Sequence, residues 1–218
     1  MPDFPLSPPM KILITDDHAV LRRGLMQILE DGFGKVQFGE AANAGEAIAQ
    51  VEKNPWDLVV LDITMPGRSG LDALKEIKSL KPDTHVLVLS VHSEDQFAVR
   101  VLKAGAGGFL NKDSAPEELV KAARKVIAGG RYVSSSLAEK LAGTLERKHS
   151  DFPHQQLSDR EFQVLLLIGS GKTVSEIAVE LSLSVKTVST YRSRILEKMS
   201  LNTNAELTRY CFENKLVQ

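Results

Sequence analysis

Leu58-Val59-Val60-Leu61-Asp62-Ile63-Thr64-Met65-Pro66-Gly67 is an apolar run that ends on one carboxylate and then turns. An unbroken branched run, bounded by Trp56-Asp57 and Pro66-Gly67, is the pattern of a strand buried on both faces of a parallel sheet. Ligands of such sheets bind beyond the carboxyl ends of the strands. Asp62 therefore stands at a rim that chemistry can reach. A carboxylate there would equally serve as an ordinary cap for the next helix, and this stretch alone does not separate the two roles.

The same alternation repeats on either side. Upstream, Met10 to Thr15 is a short apolar strand ending on Asp16-Asp17, and Leu21, Leu25, Ile28 and Leu29 share one face of a helix that Asp31-Gly32 closes. Val36 to Ala41 follows as a strand, and Ala44, Ala47, Ile48 and Val51 as a helical face. Downstream of Asp62 come a helix with Leu71, Leu74 and Ile77, a strand Val86 to Leu89 ending on Ser90, and a helix marked by Phe97 and Val101. Gly108-Phe109-Leu110 then forms a short strand ending at Lys112, and Leu119, Ala123, Val126 and Ile127 mark a last helix with Pro116 near its start. Five strand-helix units predict an α/β fold, a five-stranded doubly wound parallel sheet covered by helices on both faces.

The polar residues at the strand ends then gather on one edge: Asp16 and Asp17, Asp62, Ser90 and Lys112. Crowded carboxylates repel one another unless a hard cation joins them, and Mg²⁺ favours one or two carboxylates together with waters and phosphate oxygens. A lysine opposite can pair with a phosphoryl oxygen, and a serine hydroxyl can donate to another. The set suits receipt of a phosphoryl group on a carboxylate. The five histidines, His18, His85, His92, His149 and His154, have no metal-ligand spacing.

Asp16-Asp17, Leu61-Asp62-x-x-Met65-Pro66-Gly67, Ser90 and Gly105-Ala106-x-Gly108-Phe109-x-x-Lys112 together resemble the receiver domain of two-component response regulators over roughly residues 10 to 128. The resemblance implies that Asp62 takes phosphate from a sensor histidine kinase. It also implies that Asp17 and Asp62 ligate Mg²⁺, with Asp16 acting through water and the backbone carbonyl of Thr64 completing the set. Ser90 and Lys112 would bind phosphoryl oxygens, and Phe109 would swing inward as Ser90 moves. Thr64 and His92 would tune the lifetime of the acyl phosphate. A phosphatase of the haloacid-dehalogenase type also phosphorylates an aspartate, but it resembles an Asp-x-Asp arrangement, and Thr64 stands two residues past Asp62.

Gly129-Gly130 ends the last helix of this domain, and Tyr132-Val133 are expected to pack back on it. The pattern then changes to helices without strands. Leu137, Ala138, Leu141, Ala142 and Leu145 suit a short amphipathic helix, and Glu146 to Gln156, with Pro153, is polar and reads as a linker. Ser158 with Glu161, and Thr173 with Glu176, have capping-box spacing. Ser182-Leu183-Ser184 turns the chain into a helix from Val185 to Met199, and a last helix from about Asn204 to Asn214 buries Leu207, Tyr210 and Cys211.

Two helices across a tight turn suggest helix-turn-helix, whose second helix enters the major groove. With Val188, Ile195 and Met199 as the buried stripe, the opposite face presents Lys186, Ser189, Thr190, Ser193, Arg194 and Glu197. Arg192 falls nearer the inner edge. Four cations, Lys186, Arg192, Arg194 and Lys198, stand against Glu197 alone, as phosphate contact requires.

The pattern from Leu157-Ser158-x-x-Glu161 through Gly171-Lys172, Glu176-Ile177-Ala178 and Thr187-Val188 to Lys198 resembles the LuxR-type output domain over about residues 153 to 216. Joined to a receiver, it resembles the NarL/FixJ class of response regulators. That likeness implies that Lys186, Ser189, Thr190 and Ser193 face the groove of double-stranded DNA and that Lys172, Thr187, Arg194 and Lys198 meet phosphates. It also implies a homodimer when phosphorylated. The family often has lysine and histidine where this chain has Ser189 and Tyr191, which bears on the target sequence. A competing expectation is that the helical domain binds a protein instead of DNA.

The expected organisation is a disordered lead-in at residues 1–9, a receiver at 10–130, a linker at 131–152 and the helix-turn-helix domain at 153–218. The totals agree with this division. The 218 residues suit one or two domains, 43% are apolar, and 27 basic residues balance 28 acidic ones, so any nucleic-acid surface must be local. The first nine residues lack the features of a secretory signal. No apolar run approaches the ~18 residues of a membrane span, and the single Cys211 cannot form an intrachain disulfide. A soluble cytoplasmic regulator with no catalytic turnover is expected.

Overall fold

Strand and helix alternate five times in the first half of the chain, and the computed structural model describes residues 9–91, 94–114, 116–134, 138, 152–214 and 216–217. The expected lead-in before residue 9, His92, His149 and the stretch from Leu137 to Leu145 apart from Ala138 lie outside the described residues. Contacts divide the chain into two units, with the division after Ser134.

In the first unit, β1 (Met10–Thr15), β2 (Val36–Ala41), β3 (Leu58–Asp62), β4 (Val86–Ser90) and β5 (Gly108–Asn111) form one sheet in the order β2-β1-β3-β4-β5. All four pairings are parallel, with Ile14 opposite Val60 and Leu61 opposite Val88. Between the strands run α1 (Ala19–Phe33), α2 (Ala44–Lys53), α3 (Gly70–Leu80) and α4 (Glu94–Lys103), with α5 (Pro116–Ile127) after β5. Ile12, Ile14, Leu58, Val60, Leu87 and Leu89 pack with Leu25 and Leu29 of α1 and Leu119, Ala123 and Val126 of α5. Their alternates Leu13, Val59, Leu61, Val88 and Phe109 are buried as well. The sheet is therefore covered on both faces, which is why its strands read as continuous apolar runs instead of alternating ones. Truncating one such residue, as in Leu58→Ala, would cost about 2–5 kcal/mol.

Two glycines fix how this unit closes. The sequence places the end of α1 at Asp31-Gly32, but the helix continues to Phe33 and stops at Gly34, whose φ is 82° and whose N–H donates to Glu30 O at 2.8 Å. Gly32 has a different task, because a Cβ there would overlap the Val120 side chain of α5. After α5, Tyr132 is buried, makes a parallel bridge to Gly108, and donates its hydroxyl to Glu118.

In the second unit a short 3-10 turn (Pro153–Gln156) precedes α6 (Asp159–Gly169), α7 (Val174–Glu180), α8 (Val185–Met199) and α9 (Asn204–Glu213). Both capping boxes form: Ser158 N donates to Glu161 Oε2 at 2.8 Å, and Thr173 N to Glu176 Oε2 at 2.7 Å. Helix α6 packs on α8 and α9, and α7 on α8. Val188, Ile195 and Met199 are the buried residues of α8, and Leu207 and Cys211 those of α9. Burial pushes the Cys211 thiol up to about 12, so it behaves as a small apolar group. Tyr210 departs from the expected burial. It is half-buried, because its hydroxyl reaches outward to His154 Nδ1 at 2.7 Å.

Candidate functional site

The strand order reverses at β1, so the crevice beyond β1 and β3 is the place where this topology accepts a ligand. Asp16 follows β1 and Asp62 ends β3, each 1% exposed. Lys112 follows β5 and is registered by its N–H, which donates to Ser90 O at 2.9 Å. Its ammonium bridges the two carboxylates, at 2.6 Å from Asp16 Oδ2 and 2.7 Å from Asp62 Oδ2. The other Asp62 oxygen accepts the Thr64 N–H at 2.8 Å.

The electrostatics are unbalanced. Burial pushes the Asp62 carboxyl above the usual aspartate range, more strongly than Lys112 and the Thr64 amide pull it down, and Asp16 adds repulsion. Burial alone would lower Lys112, but Asp62 and Asp16 outweigh it and leave the ammonium raised. One lysine thus serves two buried carboxylates. In addition, Asp17 Oδ1 and Thr64 Oγ1 are buried with no hydrogen-bond partner among the described residues. Oxygens of Asp16 and Asp17 converge with His18, whose Nδ1 lies 3.3 Å from Asp16 Oδ1 and 3.0 Å from Asp17 Oδ1. Ser90 and Phe109 are fully buried, so the aromatic ring already points inward. A Cβ on Gly70, at the start of α3, would collide with the Asp62 carbonyl oxygen, so a glycine is needed for that helix to begin so close.

The sequence reading brought together Asp16, Asp17, Asp62, Ser90 and Lys112 but passed over three neighbours. His18 was signalled by its adjacency to the acidic pair. Arg22, which donates Nη1 to the Asp16 carbonyl at 2.8 Å, and Glu40, which accepts Arg22 Nε at 2.8 Å, gave no signal because they meet only across the fold.

On α8, Lys186, Ser189, Thr190, Ser193 and Arg194 are exposed. A surface concavity there is lined by Lys186, Thr187, Thr190, Tyr191 and Arg194. Arg192 is half-buried and bonds to Asn204 of α9. The two remaining cations are engaged within the fold: Lys172 pairs with Glu180, and Lys198 with the nearly buried Glu161 at 2.6 Å. Lys186 and Arg194 form no ion pair among the described residues.

Comparison with known proteins matches both units. Residues 12–124 fit the family model of the response regulator receiver domain, and residues 155–211 fit that of the bacterial regulatory proteins of the luxR family. The chain is 38% identical over 208 residues to the response regulator UvrY of Escherichia coli K12, covering 95% of each. It is 37% identical over 209 residues to the response regulator GacA of Pseudomonas aeruginosa, covering 95% of this chain and 98% of that one. Among solved structures it resembles RcsB from Salmonella enterica serovar Typhimurium bound to promoter rprA in the presence of the phosphomimetic BeF3−. The TM-score is 0.64 at 28% identity, over 93% of this chain and 98% of the other. This chain belongs to the response regulators, with a receiver domain followed by a LuxR-family domain.

Proposed function

We propose that the chain is a transcriptional regulator whose DNA binding is set by phosphorylation of Asp62. The observation that carries this reading is the Lys112 ammonium bridging Asp16 and Asp62 in the crevice between β1 and β3. A carboxylate oxygen of Asp62 attacks the phosphorus of a phosphohistidine on a sensor kinase. The P–N bond breaks, and the imidazole nitrogen leaves with its electron pair and takes a proton. Lys112 then turns from the carboxylates to a phosphoryl oxygen, and the Ser90 hydroxyl donates to another. The move of Ser90 lets Phe109 shift, and the surface of α4 and α5 changes with it.

Asp16, Asp17, Asp62 and the backbone carbonyl of Thr64 would hold Mg²⁺. The donors are all hard oxygens, and Asp17 Oδ1 accepts no hydrogen bond among the described residues, which fits such an ion. When bound, it supplies the positive charge that offsets the phosphoryl oxygens. The only reaction is transfer to Asp62 and loss from it, so the chain is a regulator and not an enzyme.

The partner of α8 is double-stranded DNA. Lys186, Ser189, Thr190 and Ser193 face the major groove, and Thr187 and Arg194 meet phosphates. Lys172 and Lys198 join them by exchanging Glu180 and Glu161 for phosphate. That exchange costs little for the exposed Lys172 pair and more for Lys198, whose acid is buried. A homodimer on symmetric half-sites, formed on phosphorylation, gives enough interface. No helix among the described residues is long and apolar enough to cross a membrane, in keeping with a cytoplasmic place of action. The test is DNA binding of the full chain as a function of salt. Lys186→Ala and Arg194→Ala should each lower the salt slope by roughly 1. An unchanged slope in both would remove α8 from the interface.

A further inference from the structure

The Asp16 backbone is held from both sides, by Ala41 of β2 and by Arg22 of α1. Its N–H donates to Ala41 O at 3.2 Å, and its carbonyl accepts from Arg22 Nη1 at 2.8 Å. Arg22 is in turn aimed by Glu40, the residue before Ala41, which accepts Nε at 2.8 Å. The Arg22 side chain is 13% exposed although it is charged, and its two bonds leave in different directions from one planar group. A lysine cannot reproduce that fork. Asp17, one residue beyond the clamped carbonyl, carries a buried oxygen with no hydrogen-bond partner among the described residues, and His18 Nδ1 lies 3.0 Å from it. Lys112 and the His18 N–H fix the Asp16 side chain, at 2.6 and 2.8 Å.

We propose that Arg22, oriented by Glu40, is a positioning residue for the cation of the acidic edge: it holds the Asp16–Asp17 backbone so that the Asp17 carboxylate keeps its aim. This rests on the reading of that edge as a Mg²⁺ site. Groups that orient metal ligands without touching the metal set its affinity, and their loss typically weakens binding about 10–100-fold.

The sign of the effect separates this role from the alternatives. A cation beside a metal site repels the metal, so an arginine acting only through its charge would weaken Mg²⁺ binding, and Arg22→Met would tighten it. An arginine that only ties α1 to β2 would lower the thermal midpoint when removed and leave Mg²⁺ affinity alone. A positioning residue does neither, and its removal weakens Mg²⁺.

The experiment is a titration of the full chain with Mg²⁺ alone, read from backbone amide shifts around Asp17 and Thr64, with the thermal midpoint measured in parallel. Arg22→Met should weaken Mg²⁺ roughly 10-fold. Arg22→Lys, which keeps the charge, should weaken it nearly as much. Glu40→Gln leaves the arginine in place and should weaken it by a smaller factor, so it provides the reading even where Arg22→Met folds poorly. Unchanged affinity in Arg22→Lys and Glu40→Gln would overturn the proposal, as would tighter binding in Arg22→Met. Absence of Mg²⁺ binding to the unaltered chain would instead remove the cation site itself, and this inference with it.

Discussion

Two buried carboxylate–lysine pairs, one in each unit, have nearly the same geometry and opposite electrostatics. Asp62 meets Lys112 at 2.7 Å and Glu161 meets Lys198 at 2.6 Å. Burial opposes the charge of each acid. For Glu161 the Lys198 hydrogen bond and the bonds with Ser158 outweigh burial and hold the carboxyl below its usual range, whereas Asp62 stays above its own. The difference lies in how many acids each lysine serves. Lys198 has Glu161 to itself and a capping box shares the work, while Lys112 is divided between Asp62 and Asp16. The carboxylate of Glu161, in the first turn of α6, is held in its charged form by its partners. Asp62 accepts bonds at both oxygens, yet burial keeps its carboxyl raised, a perturbation common at functional sites.

The largest expected effect comes from exchanging the two acids for their amides. Asp62→Asn should lose all phosphoryl uptake from a small acyl-phosphate donor with Mg²⁺, read by intact mass, and Glu161→Gln should keep it. Uptake in Asp62→Asn would show that Asp62 is not the acceptor.

Next in size is stability. Glu161→Ala removes half of a capping box and strands Lys198, and should destabilise the helical unit by about 1–3 kcal/mol, measured by urea unfolding. A change near zero would mean that the pair is no structural keystone.

The smallest effect is the pH dependence, and it has opposite signs in the two units. Because the folded Asp62 carboxyl is raised, its favourable contribution is complete below the unfolded value near pH 4 and is lost as the pH rises through the folded value. Asp62→Asn should therefore be more stable than the unaltered chain at pH 7, by a few degrees in Tm, with the gap closing below about pH 4. Glu161 is lowered, so its contribution is present at neutral pH and lost as the pH falls through its folded value. Glu161→Gln should accordingly cost most at pH 7 and least in acid. Gaps of the same sign in both variants would break the comparison.

Much of this contrast was legible before any coordinates. Apolar runs ending on Asp16, Asp62, Ser90 and Lys112 announced a parallel sheet, and parallel strands bring their ends to one edge whatever their separation in sequence. The spacing of Ser158 to Glu161 announced a capping box, because that contact is local. The partners set by tertiary packing were not legible. The family resemblance implies a phosphate contact for Lys198, but its ammonium is drawn to Glu161, 37 residues away. Arg22 of α1 and Glu40 of β2 come together only in the folded chain, and so do Gly32 and Val120, which gives that glycine a packing task that its sequence neighbours do not signal. Local chemistry can be read along the chain, whereas pairing between distant elements depends on the packing.

Under the proposed function, the state of Asp62 governs the grip of α8 on DNA. This is tested most directly by measuring the affinity of the full chain for DNA selected from a random pool, with and without beryllofluoride as the acyl-phosphate mimic, beside Asp62→Asn. The mimic should tighten binding roughly 10-fold in the unaltered chain and have no effect on the variant. Equal affinity of the unaltered chain in both conditions would contradict it.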